Sequence, residues 1–189
     1  MKTIVTSIIL VTATLFTTTA DAQRKDIDTS ESTIEWTGKK ITGSHNGTLN
    51  FSNGFLEFKG DALVGGEFTV DMTSLVVTDL EAGEGKEKLE GHLSSDDFFG
   101  IKNHNTAMLT IKSATMSDDD TYEVVGDLTI KGKTRPITFD MYVDEDIATT
   151  TLDVDRTKYD IKYGSGSFFD NLGDKAISDD FTLDVTLKM

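Results

Sequence analysis

Apolar and polar residues alternate with a period of two along most of the chain, and the clearest run is Tyr122 to Val143, YEVVGDLTIKGKTRPITFDMYV. Its first arm puts Tyr122, Val124, Gly126, Leu128 and Ile130 on one face and Glu123, Asp127, Thr129 and Lys131 on the other. The second arm sets Ile137, Phe139, Met141 and Val143 against Thr138, Asp140 and Tyr142, so each arm reads as a half-buried strand. With Gly132-Lys133 as a type II′ loop, Leu128 faces Ile137 and Gly126 faces Phe139, and both apolar rows share one face.

The same period predicts a strand at Ser32 to Lys39, then a hairpin of His45 to Ser52 and Phe55 to Lys59 turning at Asn53-Gly54. Gly65-Gly66 leads into a strand over Glu67 to Thr73, and further strands hold Ala107, Leu109 and Ile111, then Leu152 and Val154. The last strand alternates Phe181, Leu183, Val185 and Leu187 with Thr182, Asp184, Thr186 and Lys188. Two stretches break the pattern. Lys86 to Leu93 has helix-forming composition and runs into a folded loop at Ser94 to Gly100, while Gly164 to Asn171 is irregular with room for one helical turn. Asp118 to Asp120 and Asp144 to Asp146 read as acidic turns. Eight or nine such strands predict an all-β fold, either a sheet closed on itself or two sheets packed face to face, which periodicity does not separate.

The N-terminus is a processing segment. Lys2, the apolar stretch Ile4 to Phe16 and Ala20-Asp21-Ala22 have the three parts of a signal peptide cut before Gln23, leaving residues 23–189 as a single domain. An apolar stretch this short, broken by threonines, is below the ~20 residues that a spanning helix requires, so stable membrane insertion after cleavage is not expected. There is no cysteine, hence no disulfide and no lipid-modified thiol. The net charge is −15, and losing Lys2 and Asp21 leaves it unchanged; nucleic acid is an unfavourable partner for such a surface.

Candidate chemistry is sparse. His92 and His104 with Asp96 or Asp97 match no compact metal spacing, and the Asp-rich turns lack the glycine and terminal glutamate of a calcium loop. His92 and the Asp96 and Asp97 carboxylates are better read as pinning the helix and loop by hydrogen bonds. Gly164-Ser165-Gly166-Ser167-Phe168 has no serine centred as a nucleophile elbow requires, so the chain is not expected to be an enzyme.

Several stretches together resemble the YceI-like family of exported, lipocalin-like proteins that bind polyisoprenoids and related lipids. They are LEGHLSSDDFFG (Leu89 to Gly100), GDLTIKGKTRPITF (Gly126 to Phe139), the closing FTLDVTLKM, and Asp155 to Phe181, which looks like the Bacteroidota-type form. His104-Asn105 stands where the family usually carries Tyr-Pro. The resemblance implies an extended antiparallel eight-stranded barrel with one short helix near its mouth, a bound isoprenoid or acyl-chain lipid, and a periplasmic or secreted location. It supplies no catalytic residue and no required cofactor.

Within such a barrel, Leu49, Phe68, Val70, Leu109, Val124 and Leu128 are candidate channel lining on one set of strands, and Ile137, Phe139, Met141 and Leu183 on the other. Gly126, opposite Phe139, is expected to widen the tube. His92, Phe98 and Phe99 are candidates for the mouth. The alternative is a structural or stress-related β-domain with a filled core, acting through protein contacts. The sequence leaves open the lipid, its head group and the oligomeric state, a homodimer included.

Overall fold

The computed structural model describes residues 22–189, so the signal-peptide expectation, apart from Ala22 at the predicted cleavage point, lies outside the described residues. Nine strands follow in order: β1 Gln23–Asp26, β2 Thr33–Lys40, β3 Gly43–Lys59, β4 Ala62–Val77, β5 Thr106–Asp118, β6 Thr121–Ile130, β7 Lys133–Asp144, β8 Ile147–Asp155 and β9 Ile177–Lys188. One helix, α1 Lys86–Ser94, lies between β4 and β5, and 3₁₀ turns at Arg156–Tyr159 and Gly173–Lys175 lie between β8 and β9. Among the described residues no helix is long and apolar enough to cross a membrane.

The strands form one antiparallel sheet in the order β1-β3-β2-β9-β8-β7-β6-β5-β4, and pairing of β3 with β4 closes β2 to β9 into an eight-stranded barrel. Closure leaves few free edges, which is how an all-β chain of this size hides its backbone donors and acceptors. The extra strand β1 pairs with Phe55 to Phe58 of β3, beyond the Gly43 to Leu49 half that β2 covers.

Five hairpins have two-residue loops, and some of these fall away from the positions that the sequence predicts. The β6–β7 loop is Lys131-Gly132, with φ of 50° and 68°, rather than Gly132-Lys133. Both central residues at positive φ fit a type I′ loop, which matches the twist of the flanking strands. The register therefore moves by two residues: Leu128 faces Arg135, Gly126 faces Ile137 and Val124 faces Phe139. A shift of two keeps every side chain on its expected face, and Tyr122, Val124, Leu128, Ile130, Phe139, Met141 and Val143 are all buried. Asn53-Gly54 is not a turn; it lies inside the seventeen-residue strand β3, where Asn53 pairs with Thr69 and Gly54 with Phe68. The pairing slips between Phe51 and Asn53, so the dipeptide marks a bulge, and Gly54 is the place where the Phe68 ring lies against the backbone. Gly65-Gly66 is likewise internal to β4, and the turn falls at Gly60-Asp61.

The two ends of the barrel differ. At one, the β1–β2 connection crosses the opening: Asp28 N–H donates to the Lys188 carbonyl at 2.7 Å and the Lys188 N–H to Ser32 Oγ at 3.0 Å. Leu56, Leu63, Val124 and Ala148 are at most 1% exposed in this closed half. At the other end β7 and β8 separate. Their ladder is limited to Tyr142–Thr149, Val143–Ala148 and Asp144–Ile147, and the 3₁₀ turn Arg156–Tyr159 packs against β7 beyond it. Tyr159 and Ile161 are buried there, and burial, against the opposing charge of Arg135, pushes the Tyr159 hydroxyl up to about 12.

Candidate functional site

The open end leads into a cavity of about 630 Å³, within the ~300–1,000 Å³ typical of small-molecule sites. Its walls are the inward rows of the strands: Leu49, Phe68, Val70, Leu109, Leu128, Phe139, Met141 and Leu183 all line it. Ile34, Trp36, Leu152, Phe181, Val185 and Leu187 are among the residues that extend the wall; the alternation turns them to the same face, but nothing in the sequence separates cavity lining from packed core. Trp36 is the chain's only tryptophan. It is 8% exposed and its ring lies over Gly47, where a Cβ would collide with the Val76 carbonyl and the indole. Its N–H has no acceptor.

Three candidates lie outside the lining. Val124 is fully buried towards the closed end. Ile137 is half-buried against the core. Gly126 does not widen the tube: a Cβ built on it would stand 2.9 Å from the Thr110 carbonyl oxygen and 3.2 Å from Leu109 Cδ1. It sits beside the slip between Ile111 and Ser113, so the missing side chain lets two strand backbones approach at a bulge.

The entrance is built by α1 and the loops that follow β4 and β8. Leu93, Phe98 and Ile101 are buried beneath the helix and its loop, and Phe99 meets Phe181 edge-on with centroids 6.2 Å apart. His92, Phe98 and Phe99 all line the cavity. The His92 ring packs edge-on against Phe98 at 5.6 Å and Tyr163 at 4.4 Å. The loop is pinned through its backbone, by Lys131 Nζ donating to the Asp96 carbonyl at 2.7 Å, rather than by the Asp96 and Asp97 carboxylates. His104 continues the turn through its N–H to the Gly100 carbonyl, and the Asn105 carbonyl accepts from Met72 N–H, which fixes the path of the segment that departs from the family pattern. Among the described residues no three His, Asp or Glu side chains are grouped to hold a metal ion.

Two polar contacts stiffen the rim. His45 Nδ1 lies 2.8 Å from Asp79 Oδ2, while Asp79 Oδ1 accepts from Asn46 N–H. Burial raises the Asp79 carboxyl, but these contacts outweigh it and hold the group below the ordinary aspartate range. Arg156 is 1% exposed and donates to the carbonyls of Ser178, Ile161, Tyr163 and Ile177 at 2.8 to 3.1 Å, with Asp179 Oδ1 at 3.7 Å. Burial lowers its pKa and Asp179 and Asp155 oppose that, so the guanidinium stays a charged clamp on the Arg156 to Ser178 stretch.

The polar lining is confined to this rim, with Thr150 as the exception, and its hydroxyl is spent on the Asp140 carbonyl at 2.6 Å. Below the rim the walls are aliphatic and aromatic. Such a tube offers dispersion and burial to an apolar chain, and no group there is placed for acid–base or nucleophilic chemistry.

Comparison with solved structures gives matches that share this architecture. Burkholderia cenocepacia BcnA superimposes with a TM-score of 0.69 at 20% identity, over 85% of this chain and 98% of that one. A polyisoprenoid binding domain from Saccharophagus degradans, implicated in plant cell wall breakdown, gives 0.59 at 14% identity, over 86% and 95%. The Campylobacter jejuni YCEI protein gives 0.53 at 14% identity, over 97% and 93%. A sequence search of curated proteins gives no match. The YceI-like domain matches residues 26–189, from the last residue of β1 through the end of β9, and the chain belongs to that family.

Proposed function

We propose that this protein binds, sequesters or transports an amphiphilic lipid, its apolar chain held in the barrel, without catalysing a reaction. The observation that carries the reading is the apolar cavity of about 630 Å³, open at one end and lined below its rim almost wholly by aliphatic and aromatic side chains. At ~0.8 kcal/mol per buried CH₂, a polyisoprenoid, an isoprenoid quinone, or a fatty acid or amide gains affinity from burial alone. The Saccharophagus neighbour, a polyisoprenoid binding domain, supports the same class of ligand. Exposed Ile41, Tyr163, Phe168 and Phe169 flank the entrance and give an insoluble chain apolar surface on its way in. The cavity favours this reading over that of a filled β-domain acting through protein contacts. We further infer that residues 1–22 direct export, so that the carrier works in the periplasm or outside the cell.

Organic extraction of the purified protein followed by mass spectrometry tests the carrier reading. An isoprenoid or acyl-chain lipid at near-stoichiometric yield is the expected result. Extracts without lipid, together with failure to take up prenyl and acyl probes, would sink it.

A further inference from the structure

We propose that the cavity selects amphiphiles with an anionic head group, a carboxylate or a phosphate, held at the mouth by Lys39, Lys40, Lys88 and Lys175. This rests on the lipid-carrier reading and adds to it the chemistry of the ligand's polar end.

Below the rim the lining carries no charged group, its polar atoms being the Trp36 N–H and the Thr150 hydroxyl already bonded to Asp140, so a charged head group on a chain entering the tube stays at the rim. Four lysines from three separate elements converge there: Lys39 and Lys40 end β2, Lys88 lies on α1 and Lys175 ends the second 3₁₀ turn. All four line the cavity and are exposed, and among the described residues none forms an ion pair.

The acids around the same entrance are mostly committed. Asp79 holds His45, Glu90 accepts from Val77 N–H, Glu87 accepts from Gly83 N–H, and Asp179 lies against Arg156 and Ser167. Asp174 and Asp180 are the two carboxylates on the lining itself, against four ammonium groups. A chain of net charge −15 thus sets four unpaired ammonium groups against two carboxylates on the lining at the mouth of an apolar tube. Arg156 takes no part, because its donors are already taken by backbone carbonyls.

Titration of the delipidated protein with hexadecanoate, hexadecyl phosphate and hexadecanol, followed by Trp36 fluorescence at neutral pH, separates head group from chain. Both anions should bind about tenfold tighter than the alcohol at low salt, the scale that a few solvent-screened charge contacts reach together. That advantage should vanish in about 0.5 M salt, where screening acts within a few ångströms. The fourfold variant Lys39→Gln, Lys40→Gln, Lys88→Gln, Lys175→Gln should bind all three alike, at the affinity of the alcohol. Equal binding of anions and alcohol by the unmodified protein overturns the head-group assignment while leaving the carrier reading intact. An equal loss for all three ligands in the variant also overturns it, and binding of none removes the carrier reading as well.

Discussion

Arg156 shows how much a single side chain decides near the site. Its guanidinium binds four carbonyls on either side of an irregular stretch, and those oxygens sit where few other donors reach. Replacing it by Met keeps much of the apolar stem but strips the donors from four carbonyls and leaves the half-buried Asp179 beside no cation. We expect Arg156→Met to cost at least about 1–3 kcal/mol, the range for leaving a buried acceptor without its donor. Urea unfolding measures it, and a change inside experimental error would mean that water replaces the arginine. The pH dependence follows from Asp179, held below the ordinary aspartate range first by the Ser165 and Ser167 hydroxyls and further by Arg156. A carboxyl whose folded pKa is depressed contributes stability above its unfolded value of about 3.9 and loses it as pH falls through the lower, folded value. Asp179→Asn should therefore lower the melting temperature at neutral pH, and the gap to the unmodified protein should close on acidification below about pH 4. Nothing in the sequence singles out Arg156, because composition does not distinguish a buried arginine from an exposed one.

Elements were more legible than the turns between them. Alternation identified the inward rows of β2, β6, β7 and β9, because a strand with one wet face must repeat every two residues. Turn chemistry was read less well: Lys131 at φ 50° is a non-glycine in a left-handed position, and only the following Gly132 looked like a turn residue. The same rule misread Asn53-Gly54, where a bulge and the Phe68 ring, not a reversal, call for the glycine. Gly132→Ala tests the loop. An alanine at φ 68° pays about 1–2 kcal/mol of left-handed strain, and its Cβ would also stand 3.3 Å from His104 Cε1. We expect the urea midpoint to fall accordingly, with ligand affinity unchanged because the loop lies outside the lining. An unaltered midpoint would show that the β6–β7 loop relaxes freely.

At the scale of the whole molecule the barrel is half solid and half hollow, and this division was not written in the alternation. Inward rows look the same whether they meet across the axis or stand apart around a ligand; strand register, bulges and the parting of β7 from β8 set the spacing. Leu63 and Leu183 put the division to a test. Leu63 is 1% exposed in the closed half, so Leu63→Ala opens a void in packed surroundings and should cost about 2–5 kcal/mol with little effect on lipid content. Leu183 already borders empty space, so Leu183→Ala creates no new cavity and should cost markedly less. The reverse change, Leu183→Trp, should leave the fold stable while it fills the tube and lowers the lipid recovered by solvent extraction. Equal losses of stability for the two alanine variants, measured by urea unfolding of delipidated protein, would mean that the walls around Leu183 collapse onto one another in solution and that the hollow half is held open by its ligand.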